Sequence, residues 1–168
     1  MSITLSNSTQ CSIVRAVSQS GQGLFTGKEV TVEMRPAAED TGVVFIRSDL
    51  PNLPKIPAKL PYVSATKRCT TLQKEGVSIS MVEHLLSALY ALQIDNVEIV
   101  VNQSELPCFD GSANTFISLI EEAGLLVQHK PRKKGMLTKP VYFSKGSAHL
   151  IALPKNQLQL SYTLHYPN

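Results

Sequence analysis

In the stretch Ser80-Met81-Val82-Glu83-His84-Leu85-Leu86, a carboxylate and an imidazole stand side by side. That pair is the minimum equipment for metal-assisted hydrolysis. The imidazole can hold a zinc ion, and the carboxylate can take a proton from the water the metal activates. Placement at a helix start would serve both groups. Amide dipoles there disfavour imidazolium, which keeps a nitrogen lone pair free, and they favour the glutamate as an anion. A plainer reading stays open for each residue. Ser80-x-x-Glu83 also fits a capping box, with the Glu83 side chain reaching back to the Ser80 amide. His84 also fits a half-buried histidine bonded to a neighbouring loop. Four residues past His84 stands Ala88, so this is not an H-E-x-x-H helix and it supplies at most one histidine ligand. His129 lies in a basic run. His149 and His165 lie on expected strands without a partner at ligand spacing.

Three further segments carry polar groups in suggestive order. Glu105-Leu106-Pro107-Cys108-Phe109-Asp110-Gly111-Ser112-Ala113 combines two acids with an Asp-Gly turn. Cys69-Thr70-Thr71 reads alone as a polar turn or strand. Gly23-Leu24-Phe25-Thr26-Gly27-Lys28 holds two glycines and a lysine but lacks the Walker order, so by itself it connects strands.

Elements must position these groups. Val82, Leu85, Leu86, Leu89 and Leu92 form an apolar stripe that predicts a helix over 81–92, with Ser80 as its N-cap. Phe116, Leu119, Ile120 and Ala123 predict a second helix over 113–124, stopped at Gly124. Asp110 and Ser112 offer oxygens to the amides at its start. Residues 10–18, 29–35, 43–47 and 94–101 read as strands, with shorter ones near 68–72 and 77–79. Four prolines make 50–62 a loop or an edge extension. Strands with helices stacked on one face predict an α+β, two-layer domain over 1–127. A basic linker is expected over 128–135. After it, strands at 138–144, 148–153 and 158–166 read as the opening of a second, incomplete domain of similar type over 136–168.

The bulk composition narrows the class. The chain of 168 residues is 43% hydrophobic and 17% charged, which is globular and not disordered. A net charge of +3, few aromatic residues and no Trp make nucleic-acid binding a poor fit. Three cysteines without metal-type pairing suit the reducing cytoplasm better than a disulfide framework. The first ten residues lack the basic and apolar regions of a secretory signal. No apolar run approaches a membrane span, so at most a peripheral membrane contact is expected.

Taken jointly, the segments resemble the zinc-dependent UDP-3-O-acyl-N-acetylglucosamine deacetylases of lipid A biosynthesis in Gram-negative-type bacteria. Six pieces stand in the family's order: the 23–28 segment, Cys69-Thr70-Thr71-Leu72, Ser80 to Leu85, Ile94-Asp95-Asn96, Glu105-Leu106-Pro107, and Asp110-Gly111-Ser112-Ala113. The resemblance implies two similar α+β domains with the active site between them. It implies His84 as the first Zn2+ ligand, Glu83 as general base, and Cys69 and Thr70 near the metal. Asp110 would support the site or position substrate. The implied substrates are UDP-3-O-acyl-N-acetylglucosamine and water. Two departures stand out. Phe25 occupies the place of the family's usual histidine, and the His-x-x-x-Asp that supplies two further ligands is absent. The chain is therefore expected to be an incomplete portion of the enzyme, inactive alone and needing the missing second-domain half in cis or in trans. The alternative is a non-catalytic sugar-nucleotide-binding or scaffold relative.

Overall fold

The computed structural model describes residues 9–133 and 135–165, which divide into two compact units after Arg132. Among the described residues, the larger unit holds ten strands and two α-helices. Strands β1 (Thr9–Ile13), β2 (Val17–Gln22), β3 (Glu29–Pro36), β4 (Val43–Arg47) and β5 (Lys55–Pro57) precede a short 3-10 turn at Leu60–Tyr62. Then come β6 (Val63–Ala65), β7 (Thr71–Lys74), β8 (Val77–Ser80), α1 (Glu83–Ala91), β9 (Val97–Val101), α2 (Asn114–Ala123) and β10 (Leu125–Pro131). The fold is α+β.

A five-stranded sheet runs in the order β2-β3-β9-β4-β5, antiparallel except where β4 pairs parallel with β9. In β3, Val30, Val32 and Met34 are buried in alternation, as the two-residue period of a strand requires. Leu85, Ala88 and Leu89 of α1 and Phe116, Leu119, Ile120 and Ala123 of α2 recur at helical spacing. Their side chains join the strand side chains in one core. The antiparallel sheet β6-β7-β8 adds Leu72 and Ile79 to that core, and the pair β1-β10 adds Cys11 and Ile13.

Several expected boundaries move, each for a long-range reason. The single strand expected at 10–18 is two strands, because β1 pairs with β10 while β2 pairs with β3. Between them, Val14 and Arg15 donate their amides to the carbonyls that end α2. Ser80 is not the N-cap of α1. It ends β8, and its amide goes to Ser104 O at 2.9 Å. Met81 then turns the chain with a left-handed backbone (φ 62°), and Val82 precedes the helix. At the second helix, Gly124 does stop α2 with φ 76°, and Asn114 N–H donates to Ser112 Oγ. The prolines leave β5 at the edge of its sheet.

The expected linker at 128–135 starts later, because residues 128–131 belong to β10. Two of its basic side chains have carboxylate partners. Arg132 clamps the Asp95 carboxylate with contacts of 2.7–3.1 Å, and Lys130 pairs with Asp40 at 2.8 Å. Lys134 lies outside the described residues. The second unit contains one antiparallel hairpin, β11 (Val141–Lys145) with β12 (Ala148–Ala152), turned at Gly146. No strand forms over 158–165, and Tyr166 lies outside the described residues.

Candidate active site

Glu83 is the first residue of α1. Its Oε2 accepts the N–H of Thr70 at 3.0 Å. This answers the capping-box question. The carboxylate does not reach back to Ser80, whose amide is already taken by Ser104 O. It reaches instead across to the loop before β7. His84 follows, half-buried, on the same turn. Its backbone carbonyl accepts the Ser87 hydroxyl at 2.8 Å, a contact that leaves the imidazole uncommitted.

The strand leading into α1 is pinned from the other side. Ser80 and Glu105 form a parallel bridge, with Leu106 N–H donating to Ser80 O at 3.0 Å. The chain after Glu105 then runs past the end of β2, where Cys108 N–H donates to Gln22 O at 2.9 Å. The Phe109 ring fills the space a side chain at Gly21 would need, 2.8 Å from the ideal Cβ position. It also packs edge-on against Phe116 of α2, with centroids 5.1 Å apart. The absence of a side chain at Gly21 thus lets the 105–113 segment approach β2 closely.

Asp110 sits at the exposed end of that segment. Its carboxylate accepts the N–H and the hydroxyl of Ser112 at 2.9–3.0 Å. The Ser112 amide, then its hydroxyl, hold the Asp110 carboxyl below its usual range, with the His84 imidazole pulling less strongly the same way. Asp110 and His84 are therefore electrostatic neighbours. Cys69 is half-buried against the core. Its Sγ lies 3.9 Å from Thr71 Oγ1.

The backbone is strained where these segments meet. Arg68 (φ 68°), Met81 (φ 62°) and Phe109 (φ 49°) are left-handed non-glycine residues. They immediately precede Cys69, the Val82-Glu83 helix start and Asp110 respectively. Each such residue costs on the order of 1 kcal/mol and persists only where surrounding contacts fix it.

The structure thus brings together Thr70, Glu83, His84 and Asp110, with Cys69 beside them. It does not add Ile94-Asp95-Asn96 to this group. Asp95 accepts the Cys11 amide, and Asn96 bonds Gln10 and Gln128, so these residues hold β1 and β10 in place. His129, on β10, spends its amide on Glu39, and His149 is on β12 of the other unit. Glu105 escaped the candidate set although it is 1% exposed and its carboxylate accepts the amides of Phe25 and Thr26. Its sequence signal was an acid placed directly before Leu106-Pro107. Among the described residues, no group of three or more His, Cys, Asp or Glu side chains could hold a metal ion.

The family model described as LpxC, UDP-3-O-acyl N-acetylglycosamine deacetylase, matches residues 10–168. A relative from Chlamydia felis, strain Fe/C-56, named UDP-3-O-acyl-N-acetylglucosamine deacetylase, is 44% identical over 158 residues. That match covers 94% of this chain and 56% of the relative. A relative of the same name from Chlamydia pneumoniae is 41% identical over 160 residues, 95% of this chain and 57% of its own. One from Bdellovibrio bacteriovorus is 40% identical over 148 residues, 88% and 49% of the two chains. The chain spans about half the length of the curated relatives it matches.

Proposed function

The chain belongs to the UDP-3-O-acyl N-acetylglycosamine deacetylase family, and from that membership we propose that it carries the general base and one zinc ligand of such an enzyme. The reaction is hydrolysis of the acetamide of UDP-3-O-acyl-N-acetylglucosamine, releasing acetate, at an early step of lipid A biosynthesis. The observation that carries this reading is the Thr70–Glu83 contact. It holds the Glu83 carboxylate at the loop before β7, one residue along the chain from His84.

The donor set fits zinc only in part. His84 would be one of the three protein ligands a catalytic zinc site needs, and no cluster among the described residues supplies the others. When bound, zinc polarises a carbonyl and lowers the pKa of water. This chain's residues would do the rest. The Thr70 amide holds Glu83 Oε2 and so keeps the side chain from rotating, leaving Oε1 to accept a proton from water. The water oxygen bonds to the acetyl carbon, the C–N bond breaks, and the proton held on Glu83 leaves with the amine. Asp110, held by the Ser112 amide and hydroxyl and attracted to His84, supports the imidazole or meets the substrate. Free Cys11, Cys69 and Cys108 are consistent with a cytoplasmic setting. No described helix is long and apolar enough to cross a membrane.

The incomplete donor set also favours a second reading, a non-catalytic relative that keeps a sugar-nucleotide-binding or scaffold role. One experiment separates the two. The 168-residue chain alone should bind no stoichiometric zinc and release no acetate. The same chain joined to the remainder of the Chlamydia felis relative should do both. Zinc binding and acetate release absent from the joined protein would favour the second reading.

A further inference from the structure

We propose that Glu105 is a positioning residue, whose buried carboxylate fixes the 23–28 turn against the strand that delivers α1. Its side chain and its backbone reach in different directions. The backbone bridges Ser80, three residues before Glu83. The side chain accepts Phe25 N–H at 2.8 Å through Oε1 and Thr26 N–H at 3.0 Å through Oε2. Glu105 therefore ties the turn to the path that sets Glu83 and His84. The carboxylate is 1% exposed, so neither amide bond competes with water.

The turn is shaped around this carboxylate. A Cβ at Gly23 would meet Glu105 Oε2 at 2.7 Å and Thr26 Oγ1 at 2.5 Å. Glycine at 23 is thus the residue that leaves Glu105 room to enter. Gly23 N–H donates to Lys28 O, and Gly27 N–H to Gly23 O, which closes the turn on itself. Gly27 has φ 63° and open space around it, so it meets a backbone requirement, whereas Gly23 meets a steric one. With its amides held from below, the turn presents Leu24 and Phe25 to solvent, 59% and 54% exposed. Leu24 and Phe25 are thus exposed apolar side chains on a turn whose backbone is held.

The inference rests on the proposed deacetylase only for its kinetic part, so the test has two arms. In the full 168-residue chain, Glu105→Gln replaces one acceptor oxygen with an NH2 that faces an N–H. Hydrogen exchange at Phe25 and Thr26 should quicken at least about tenfold, while Val32 and Ile99 in the central strands keep their protection. Gly23→Ala should give the same local signature by steric displacement, with the carboxylate intact. In the deacetylase joined as above, Glu105→Gln should raise KM several-fold while kcat changes less than about threefold. Glu105→Asp should leave exchange at the turn and KM no closer to wild type than Glu105→Gln does, since the shorter side chain cannot span to both amides. Unchanged exchange at Phe25 and Thr26 in both Glu105→Gln and Gly23→Ala would overturn the proposal. So would loss of protection throughout the core, or a fall in kcat with KM unmoved. Absence of turnover in the unsubstituted joined protein would sink the deacetylase reading and leave the exchange arm to decide on Glu105.

Discussion

Replacing Glu83 with Gln separates chemistry from architecture, because the structure bounds what the substitution can do to each. Glutamine keeps an acceptor oxygen for the Thr70 amide, now 3.0 Å from Oε2. What is lost is the charge. A charge-assisted hydrogen bond exceeds a neutral one by about 1 kcal/mol. An anion at the first residue of a helix adds roughly 0.3–1 kcal/mol more. Stability should therefore fall by about 1–2 kcal/mol, measured by urea unfolding of the chain. Turnover should fall far more steeply. Loss of a general base typically costs about 10²–10⁴-fold, or roughly 3–5 kcal/mol in the barrier. Acetate release by the protein joined to the remainder of a relative is the assay. The reasoning fails if Glu83→Gln loses stability as calculated yet keeps turnover within threefold. Glu83 would then be an anchor for the loop before β7 and nothing else.

Three further expectations use other parts of the fold. Burial, then the nearby Asp95 carboxylate, push the Cys11 thiol up from its ordinary value, so native Cys11 should resist iodoacetamide while Cys69 and Cys108 react first; equal labelling of all three would contradict the burial of β1. Trypsin should spare Arg132, whose guanidinium is paired with Asp95; a first cut after Arg132 would show that β10 is not docked. Asp110 should titrate below its ordinary value of 3.8. Its folded pKa is depressed, so the stabilisation it gives is present above that ordinary value and fades as pH falls through the folded one. Ser112→Ala removes the hydroxyl but keeps the amide, so it should move the NMR midpoint upward by the hydroxyl's share; an unmoved midpoint would remove the Ser112 hydroxyl as a cause.

How far the sequence reached depended on the range of the contacts involved. The stripe Val82, Leu85, Leu86, Leu89 and Leu92 and the run Phe116, Leu119, Ile120, Ala123 are local periodicities, and both helices appear where those patterns place them. Ser80 misleads because a Ser three residues before Glu fits a cap. Only the pairing with Ser104, 24 positions away, takes its amide. The basic run reads as a solvated linker because Glu39, Asp40 and Asp95, the partners of its residues His129, Lys130 and Arg132, are remote in sequence. Glu105 stands out in the sequence only as part of Glu105-Leu106-Pro107, and its contacts were hidden for the same reason. Its burial comes from amides 79 and 80 positions away, and a lone acid after a strand carries no local mark of that. The adjacency of Glu83 and His84 was plain from the chain itself, but the Thr70 contact that distinguishes a fixed carboxylate from a helix cap needed coordinates.

The central claim is that this chain brings Glu83 and one metal ligand, His84, to a zinc deacetylase. The most direct test is acetate release from UDP-3-O-acyl-N-acetylglucosamine by the joined protein, after chelation and after return of one equivalent of zinc. The account predicts turnover that vanishes on chelation and returns with zinc, and that His84→Ala shows neither tight zinc nor recovery. Turnover indifferent to the chelator, or full zinc and full recovery in His84→Ala, would contradict it.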